Sequence, residues 1–311
     1  MSRTVWLPYA DRSEAAERLG GIPAGIDVDC YRADGDDWPD SIEQVELYVL
    51  PYLKSAPELL ARVGEMASLK AIQTLTAGYD NFLPYVPDGV TLCNAAGVHD
   101  ASTAELAIAL TLASGRRLDE YARRQSDGDW APVPGTSLAD RRVLIVGYGR
   151  IGAAIERRLA GFEVASITRV ARRARSGEVE VHATSELATL LPEADVIIVI
   201  APLTPETEGL IDKAALALLP DGALVVNVAR GKLVDTDALV AETESGRLRA
   251  ALDVTEPEPL PADHPLWRIP GVLISPHVGG ASNAFFPRAD RLIAAQLRRF
   301  AAGEELENRV R

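Results

Sequence analysis

Short apolar runs alternate with amphipathic stretches along most of the chain. The clearest run is Val143–Val146, four apolar residues of which three are β-branched, and it predicts a strand buried on both faces. Helical spacing follows, with Ile151, Ile155 and Leu159 on one side. The same alternation continues to about residue 280 and predicts a parallel sheet covered by helices. Further strands are expected at 162–167, 194–200, 224–228, 250–254 and 272–275.

The first hundred residues repeat this alternation independently. Helical spacing is found at 58–66, between apolar runs rich in β-branched residues. Because the runs again alternate with helical or polar stretches, we expect a second parallel sheet here. This part of the chain has no glycine-rich phosphate-binding motif of its own. Its strands are expected at 5–9, 26–31, 47–50, 70–75 and 91–94.

Helical segments mark the expected domain borders. Ala101–Gly115 predicts a buried helix, which the charged residues 116–124 are expected to continue, and 127–134 is an irregular stretch with Trp130. A terminal helix at 285–302 is expected to return to the first sheet. The expected fold class is α/β with two doubly wound parallel-sheet domains. A flavodoxin-like substrate domain (1–98 and 284–311) would hold an inserted Rossmann cofactor domain (99–283).

A glycine motif follows the Val143–Val146 strand at 147–152, in the order G-x-G-x-x-G, and opens a predicted helix. In this context the first glycine permits a tight turn, the second lets the backbone approach a pyrophosphate, and the third allows close helix–strand packing. The N–H groups at the helix start can bind phosphate. A dinucleotide site is therefore favoured over a glycine-rich turn without a ligand. The predicted contacts are Gly147, Tyr148, Gly149, Arg150, Ile151 and Gly152.

Composition narrows the class of partner. The 311 residues are 47% hydrophobic and 25% charged, as is usual for a globular protein with a large core. The formal net charge of −13 argues against nucleic acid or an anionic membrane as a main partner. Cys30 and Cys93 give neither a disulfide framework nor metal-ligand spacing, so we expect no metal and a reducing, cytoplasmic location. The N-terminus shows no signal-peptide pattern.

The second strand of the cofactor domain bears on the choice between NAD and NADP. An NAD-specific site usually has an acidic residue at the end of that strand. With the strand placed at 162–167, Thr168 occupies the acidic position, and Arg169, Arg172 and Arg173 follow. Guanidinium groups bind a 2′-phosphate through charge-assisted hydrogen bonds. We therefore expect NADP, with Arg169 as the principal contact; the alternative is a solvated basic face.

Three polar residues stand just past predicted strands of the cofactor domain: Arg230, Glu258 and His277. Strand ends open on the ligand side of such a sheet. A guanidinium holds a carboxylate bidentately, and a histidine paired with a carboxylate can act as a general acid near neutrality. Beside a nicotinamide, the three together would suit reduction of a 2-oxo acid. Taken singly, each is as readily a surface charge, a solvated loop residue or a helix cap.

Two loops of the first domain also follow strand ends. One is Leu50-Pro51-Tyr52, and the other, 76–81, contains Gly78, where successive backbone N–H groups could bind an anion. Composition alone favours two ordinary turns here. Lys54 is the one base near the first loop, which disfavours a phosphorylated substrate.

Five motifs in order resemble those of the D-isomer-specific 2-hydroxyacid dehydrogenase family, which includes D-phosphoglycerate dehydrogenases and glyoxylate/hydroxypyruvate reductases. The resemblance implies that His277 donates the proton, that Glu258 is its partner, and that Arg230 clamps the substrate. Glu258 is selected over Glu256 because it precedes the matching proline, and a glutamate there argues against formate as substrate. The motifs are 146–152, Pro202-Leu203-Thr204 with Thr207, Asn227–Gly231, Leu252-Asp253-Val254 with Glu258-Pro259, and Ser275-Pro276-His277.

The resemblance also implies the remaining contacts. The backbone at Ala77-Gly78 would receive the substrate carboxylate, and Asp253 would contact the nicotinamide amide. The expected substrate contacts are Leu50, Tyr52, Ala77, Gly78, Arg230 and His277. Beyond the glycine motif, the expected cofactor contacts are Thr168, Arg169, Arg172, Arg173, Ala201, Pro202, Thr207, Val228, Ala229, Asp253, His277 and Gly279.

The reaction expected from these residues is hydride transfer between NADP(H) and a small 2-oxo or D-2-hydroxy acid, of the glyoxylate/hydroxypyruvate type. Two alternatives stay open from the sequence. One is a dinucleotide-sensing, corepressor-like binding protein, and the other is an enzyme of the phosphoglycerate dehydrogenase type. We also expect a homodimer that uses Ala101–Pro134, which combines a long helix with the irregular Trp130 segment.

Overall fold

A computed structural model describes residues 2–35 and 37–311, and the chain divides into two compact units. The first comprises Met1–His99 and Asn283–Arg311, and the second comprises Asp100–Ser282. The second unit is therefore an insertion in the first, because the chain leaves the first unit after His99 and returns to it at Asn283.

The first unit is built on a parallel sheet with a buried, largely apolar interior. Its strands are β1 (Arg3–Leu7), β2 (Ile26–Cys30), β3 (Val45–Val49), β4 (Ala71–Gln73) and β5 (Thr91–Cys93). Within the described residues they form a five-stranded sheet in the order β2-β1-β3-β4-β5, the flavodoxin-like order. The N-terminal segment of this unit contains the helices α1 (Arg12–Leu19) and α2 (Ala56–Leu59).

Capping residues explain where these two helices lie. The Asp11 side chain accepts a hydrogen bond from Glu14 N at 2.9 Å at the start of α1, and Gly20 ends that helix with a φ of 71°. Helical spacing at 58–66 predicts one helix, but α2 starts earlier, at the Ser55 cap, and a separate 3-10 turn follows at Val63–Glu65.

The second unit has a larger parallel sheet. Its strands are β6 (Arg142–Val146), β7 (Ser166–Ala171), β8 (His182–Ala183), β9 (Val196–Val199), β10 (Leu224–Asn227), β11 (Arg249–Leu252) and β12 (Val272–Ile274). In the described chain they form a seven-stranded sheet in the order β12-β11-β10-β9-β6-β7-β8. The strand order reverses between β6 and β9, the position at which such sheets bind ligands.

Helices accompany this sheet and continue into the C-terminal segment. In the second unit they are α3 (Asp100–Gly115), α4 (Leu118–Gln125), α5 (Arg150–Leu159), α6 (Leu187–Leu190), α7 (Lys213–Leu218) and α8 (Thr236–Glu244). The last helix, α9 (Phe285–Ala302), belongs to the first unit. Its Leu292, Ile293 and Leu297 pack in the core with Val5 and Leu47.

Two sequence predictions about these elements are wrong. Residues 116–124 do not continue α3, because Arg117 has a φ of 56° and separates α3 from α4. The second strand of the cofactor unit does not span 162–167, because a turn after α5 occupies 161–163, where Glu163 has a φ of 56°, and of the predicted residues only Ser166 and Ile167 lie in the strand. The strand itself, β7, begins at Ser166 and ends at Ala171.

The predicted fold class is confirmed by the two parallel α/β sheets. The central strands β6, β9 and β10 are almost wholly buried, and apolar side chains cover both faces of the sheet they form. This explains their unbroken apolar sequences, since a strand covered on both faces has no polar side. In the described residues, 2–35 and 37–311, we find no helix long and apolar enough to cross a membrane.

Candidate active site

The glycine turn lies between β6 and α5, where the strand order reverses. Gly147 has a φ of 114°, and a Cβ added there would lie 2.3 Å from Ala201 N. A Cβ at Gly152 would lie 2.4 Å from Gly147 O, so helix and strand can approach only without a side chain. Around Gly149, in contrast, nothing lies within 4 Å of an added Cβ. This open cradle at the N-terminus of α5 fits a dinucleotide pyrophosphate.

The bounds of β7 correct the prediction for the 2′-phosphate site. Thr168 and Arg169 pair in register with Leu144 and Ile145, within the strand. Placing Thr168 at the strand end is therefore wrong, and it followed from the misplaced strand. The basic residues that come after the strand are Arg172 and Arg173, both exposed.

Arg169 already has an anionic partner. Its Nε donates to Glu156 Oε2 at 2.8 Å and its Nη2 donates to Glu156 Oε1, while the Tyr148 hydroxyl donates to the same carboxylate. The hydrogen bond from Arg169 lowers the pKa of Glu156 below its ordinary value. The Arg169 charge is thus balanced inside the unit. Glu156 has no place in the sequence motifs, and its signal is a lone acid on the helix after the glycine turn.

The loops after β9 and β10 form the next part of this edge. Thr207 Oγ1 donates to Pro202 O at 2.7 Å and accepts from Thr204 N at 2.8 Å, so the threonine fixes the loop. Ala201, which lies against Gly147, is buried, as are Val228 and Ala229 after β10. These small apolar residues leave backbone and methyl groups, rather than charges, beside the turn.

Asn227 holds the turn that carries Arg230. This asparagine ends β10 and is 1% exposed. Its Nδ2 donates to Arg230 O at 2.8 Å, and its Oδ1 accepts from Ala229 N at 3.1 Å. A Cβ added at Gly231 would lie 2.0 Å from Thr255 O, so the Arg230 turn packs directly on the loop that leads to Glu258. Sequence reasoning missed the role of Asn227, although a polar residue ending an apolar strand is a usable signal.

Glu258 and His277 form a hydrogen-bonded pair. His277 Nδ1 lies 2.5 Å from Glu258 Oε1, and both side chains are partly exposed, at 44% and 39%. Partial burial raises the pKa of Glu258, but the hydrogen bond and charge of His277, with a smaller effect of Arg230, outweigh it and hold that pKa below its ordinary value. The carboxylate therefore favours its ionised form, and its hydrogen bond with Nδ1 orients the imidazole.

Asp253 lies beneath the His277 loop. It follows β11 and is 2% exposed. Its Oδ1 accepts from Ser275 Oγ at 2.6 Å and from Val278 N at 2.9 Å, and its Oδ2 accepts from Gly279 N at 2.8 Å. The main chain contributes as well, because His277 N donates to Asp253 O at 2.7 Å.

The loops after β3 and β4 make contacts inside the first unit. Leu50 is 1% exposed and lies in its core, whereas the Tyr52 ring stacks on Phe285 with centroids 4.0 Å apart. In the second loop, Asn94 Nδ2 donates to Ala77 O at 2.7 Å, and Thr76 Oγ1 donates to Gly78 O at 2.7 Å. Both carbonyls thus accept hydrogen bonds from side chains of the same unit.

Comparisons with known proteins bear on this arrangement. Residues 108–279 match the family described as D-isomer specific 2-hydroxyacid dehydrogenase, NAD binding domain. Glyoxylate/hydroxypyruvate reductase B of Citrobacter koseri is 36% identical over 233 residues, 72% of each chain. Glyoxylate reductase/hydroxypyruvate reductase of Homo sapiens is 35% identical over 267 residues, 79% of this chain and 78% of that one.

Solved structures with the same architecture cover the whole chain. A D-isomer specific 2-hydroxyacid dehydrogenase from Xanthobacter autotrophicus in complex with NADPH and MES has a TM-score of 0.81 at 30% identity, covering 100% of this chain and 98% of that one. An NADPH-dependent glyoxylate/hydroxypyruvate reductase from Sinorhizobium meliloti, in complex with NADP and malonate, has a TM-score of 0.80 at 28% identity, covering 100% and 97%.

Proposed function

This chain belongs to the D-isomer specific 2-hydroxyacid dehydrogenase family, and we propose that it is an NADPH-dependent reductase of small 2-oxo acids such as glyoxylate and hydroxypyruvate. The observation that carries the proposal is the His277–Glu258 pair in the dinucleotide-binding unit, where the loop that leads to Glu258 packs against the Arg230 turn. Relatives at 35–37% identity that are named glyoxylate/hydroxypyruvate reductases support the substrate class. They do not favour the corepressor-like or phosphoglycerate dehydrogenase alternatives.

Each of the three polar residues has a defined role in this reaction. Bound NADPH supplies the hydride that reduces the 2-carbon of the oxo acid. Arg230 binds the substrate carboxylate and stabilises negative charge on the carbonyl oxygen, since a guanidinium offers two parallel donors. His277 gives its Nε2 proton to that oxygen, which completes the hydroxyl group. Glu258 accepts a hydrogen bond from His277 Nδ1, and this bond keeps the imidazole oriented while His277 carries the proton.

The arginines after β7 are the proposed basis for NADPH preference. Arg172 and Arg173 follow the strand end, where an acidic residue would repel a 2′-phosphate. Because Arg169 pairs with Glu156, we assign the 2′-phosphate contact to Arg172 and Arg173 instead. Two similar structures, solved in complex with NADPH or NADP, support the same choice. Tyr148 and Arg175 complete the turn, since Arg175 Nη2 donates to Tyr148 O at 2.7 Å.

Residues of the first unit are proposed to complete the substrate site. The N–H side of the Ala77-Gly78 turn suits the substrate carboxylate, since its carbonyls are used internally. Tyr52, stacked on Phe285, is proposed as an apolar wall. Leu50 is left out, because it is buried in the core of its own unit.

We also propose a homodimer and a cytoplasmic location. The irregular segment 126–137 carries Trp130, which is 95% exposed, and such a surface suits a homodimer. Cys30 and Cys93 are free thiols whose pKa values burial raises to about 11, which suits the reducing cytoplasm.

The test is steady-state turnover with glyoxylate, hydroxypyruvate and pyruvate, each with NADPH and with NADH. We expect glyoxylate and hydroxypyruvate to be reduced with the higher kcat/KM, and NADPH to be preferred. Product analysis should give the D isomer from hydroxypyruvate. Absence of turnover with all three acids would refute the proposal, and a preference for NADH would refute its cofactor assignment.

A further inference from the structure

The carboxylate of Asp253 connects residues on both sides of His277. It accepts from the Ser275 hydroxyl on one side and from the N–H groups of Val278 and Gly279 on the other. A carboxylate offers about four acceptor positions, and three are used inside this loop in the described chain. With the side chain 2% exposed, Asp253 uses most of its acceptor positions within this loop.

The backbone of His277 needs such support. Its φ is 53°, in the left-handed region that residues with a side chain rarely adopt. A residue stays in this conformation only when its surroundings determine it, and such strain is concentrated at functional sites. The strained residue is also the proton donor of the proposed mechanism, with Nδ1 directed at Glu258.

We propose that Asp253 is a positioning residue that holds His277 in the left-handed conformation from which it meets Glu258. The proposal rests on the proposed function, which makes His277 the acid. It differs from the role that the family resemblance implies for Asp253, which is a contact with the nicotinamide amide. Ser275, Val278 and Gly279 each donate a hydrogen bond to the Asp253 carboxylate, and these bonds fix the loop that carries His277.

Asparagine cannot replace this carboxylate. One of its two side-chain positions is an NH₂ group, and either orientation of the amide places that group against a backbone N–H, of Val278 or of Gly279. Two donors facing each other leave a buried group unsatisfied. Ser275→Ala removes a single side-chain donor and keeps both backbone donors, while Ser275→Thr keeps the hydroxyl. The variants should therefore be graded, with Asp253→Asn the most severe.

The experiment measures kcat, the dissociation constant of NADPH by fluorescence titration, and hydrogen–deuterium exchange of residues 275–280. In Asp253→Asn we expect kcat to fall about 10²-fold or more, in the range of general acid catalysis. Exchange at 277–279 should become faster, with NADPH affinity unchanged. Ser275→Ala should show the same changes to a smaller degree, and Ser275→Thr should restore both.

A matched control separates positioning from general destabilisation. Asp212 caps α7, accepting from Ala215 N at 2.8 Å, and lies outside this loop. Asp212→Ala should lower the melting temperature but leave kcat and exchange at 277–279 at the wild-type level. If Asp253→Asn does not fold, the Ser275 pair decides the matter, because equal kcat and exchange in Ser275→Ala and wild type would overturn the proposal.

Two other outcomes also decide against it. An Asp253→Asn protein with unchanged kcat but weakened NADPH binding would assign the residue to the cofactor. Unchanged kcat together with unchanged exchange would leave the carboxylate without a positioning role. Wild-type protein that reduces no 2-oxo acid would instead refute the proposed function, and the exchange measurement would still show whether Asp253 holds the loop.

Discussion

At the scale of single residues, the proposed acid is the residue with the largest expected effect. We expect His277→Ala to lower kcat by about 10²–10⁴-fold, the usual contribution of a general acid. NADPH affinity should change little, because the lost group acts on the substrate oxygen. The measurement is kcat with glyoxylate, together with an NADPH titration.

A second histidine–glutamate pair provides the control for this variant. His182 Nδ1 lies 3.0 Å from Glu186 Oε2, outside the site. His182→Ala removes a comparable pair and should keep wild-type kcat. Similar activity of the His277 and His182 variants would contradict the assignment of the proton donor.

The carboxylate of Glu258 gives a pH-dependent prediction. Its pKa is held below the ordinary 4.5, chiefly because the His277 hydrogen bond outweighs the effect of burial. A depressed pKa in the folded state means that the pair contributes fully above that ordinary value and is lost as pH falls through the folded pKa. Because activity follows the pKa of the folded enzyme, wild-type kcat/KM should persist to below that ordinary value and fall only as the pH drops through the lower, folded-state pKa.

Glu258→Gln removes this titrating group and should lower kcat/KM at every pH, without the acid limb of the wild type. The matched control is Glu256→Gln, which changes another exposed carboxylate in the same Glu-Pro-Glu-Pro stretch. Initial rates measured across the acid range distinguish the two. An acid limb that persists in Glu258→Gln would show that another group titrates there.

At the scale of elements, the register of one strand decides which arginines carry cofactor preference. Arg172 and Arg173 follow β7, whereas Arg169 lies within it and binds Glu156. We expect the double variant Arg172→Ala/Arg173→Ala to reduce the NADPH:NADH ratio of kcat/KM by about 10–100-fold. That range corresponds to about 1.5–3 kcal/mol for a hydrogen bond to a charged group.

Two single variants serve as comparisons. Arg157→Ala, on the exposed side of α5, makes the same kind of charge change away from the β7 end and should leave the ratio unaltered. Arg169→Ala should also largely retain the preference, since its guanidinium is engaged by the carboxylate. If Arg169→Ala alone abolished the preference for NADPH, the 2′-phosphate contact would be assigned to Arg169.

The same element shows where sequence reasoning reaches its limit. Buried strands such as β6 and β9 have unbroken apolar sequences, so their positions could be predicted closely. The β7 sequence Ser-Ile-Thr-Arg-Val-Ala combines polar and apolar residues, because this strand is only partly buried. The apolar residues Phe162 and Val164 before it have the alternating spacing that is typical of a strand. A displacement of four residues at its start is enough to change which arginines are proposed to contact the phosphate.

The site residues show a similar division. Arg230, Glu258 and His277 could be found because each is a polar residue at the end of an apolar strand, within a motif. The supporting contacts could not be found in that way. Asn227 and Asp253 both belong to the sequence motifs. Their hydrogen-bond partners, however, include backbone groups such as Ala229 N and Gly279 N, which no pattern of side chains predicts.

At the scale of the whole molecule, the open question is assembly. Trp130 is 95% exposed on an irregular segment, an unusual position for a residue type that is enriched in the centres of interfaces. If a second copy covers it, Trp130→Asp should destabilise the dimer, because burying an unpaired carboxylate is costly. The expected wild-type mass is twice the 33.3 kDa of one chain.

Light scattering coupled to size-exclusion chromatography, over a range of concentrations, tests this prediction. Trp267 provides the matched control: it is 48% exposed, its Nε1 donates to Pro261 O at 2.8 Å, and it lies outside the 101–134 segment. Trp267→Asp should remain dimeric at concentrations where Trp130→Asp dissociates. A monomeric wild-type protein at micromolar concentration would contradict the dimer outright. A dimer equally stable in both variants would place its interface elsewhere, because a stable interface loses affinity when a central tryptophan is replaced by a charge.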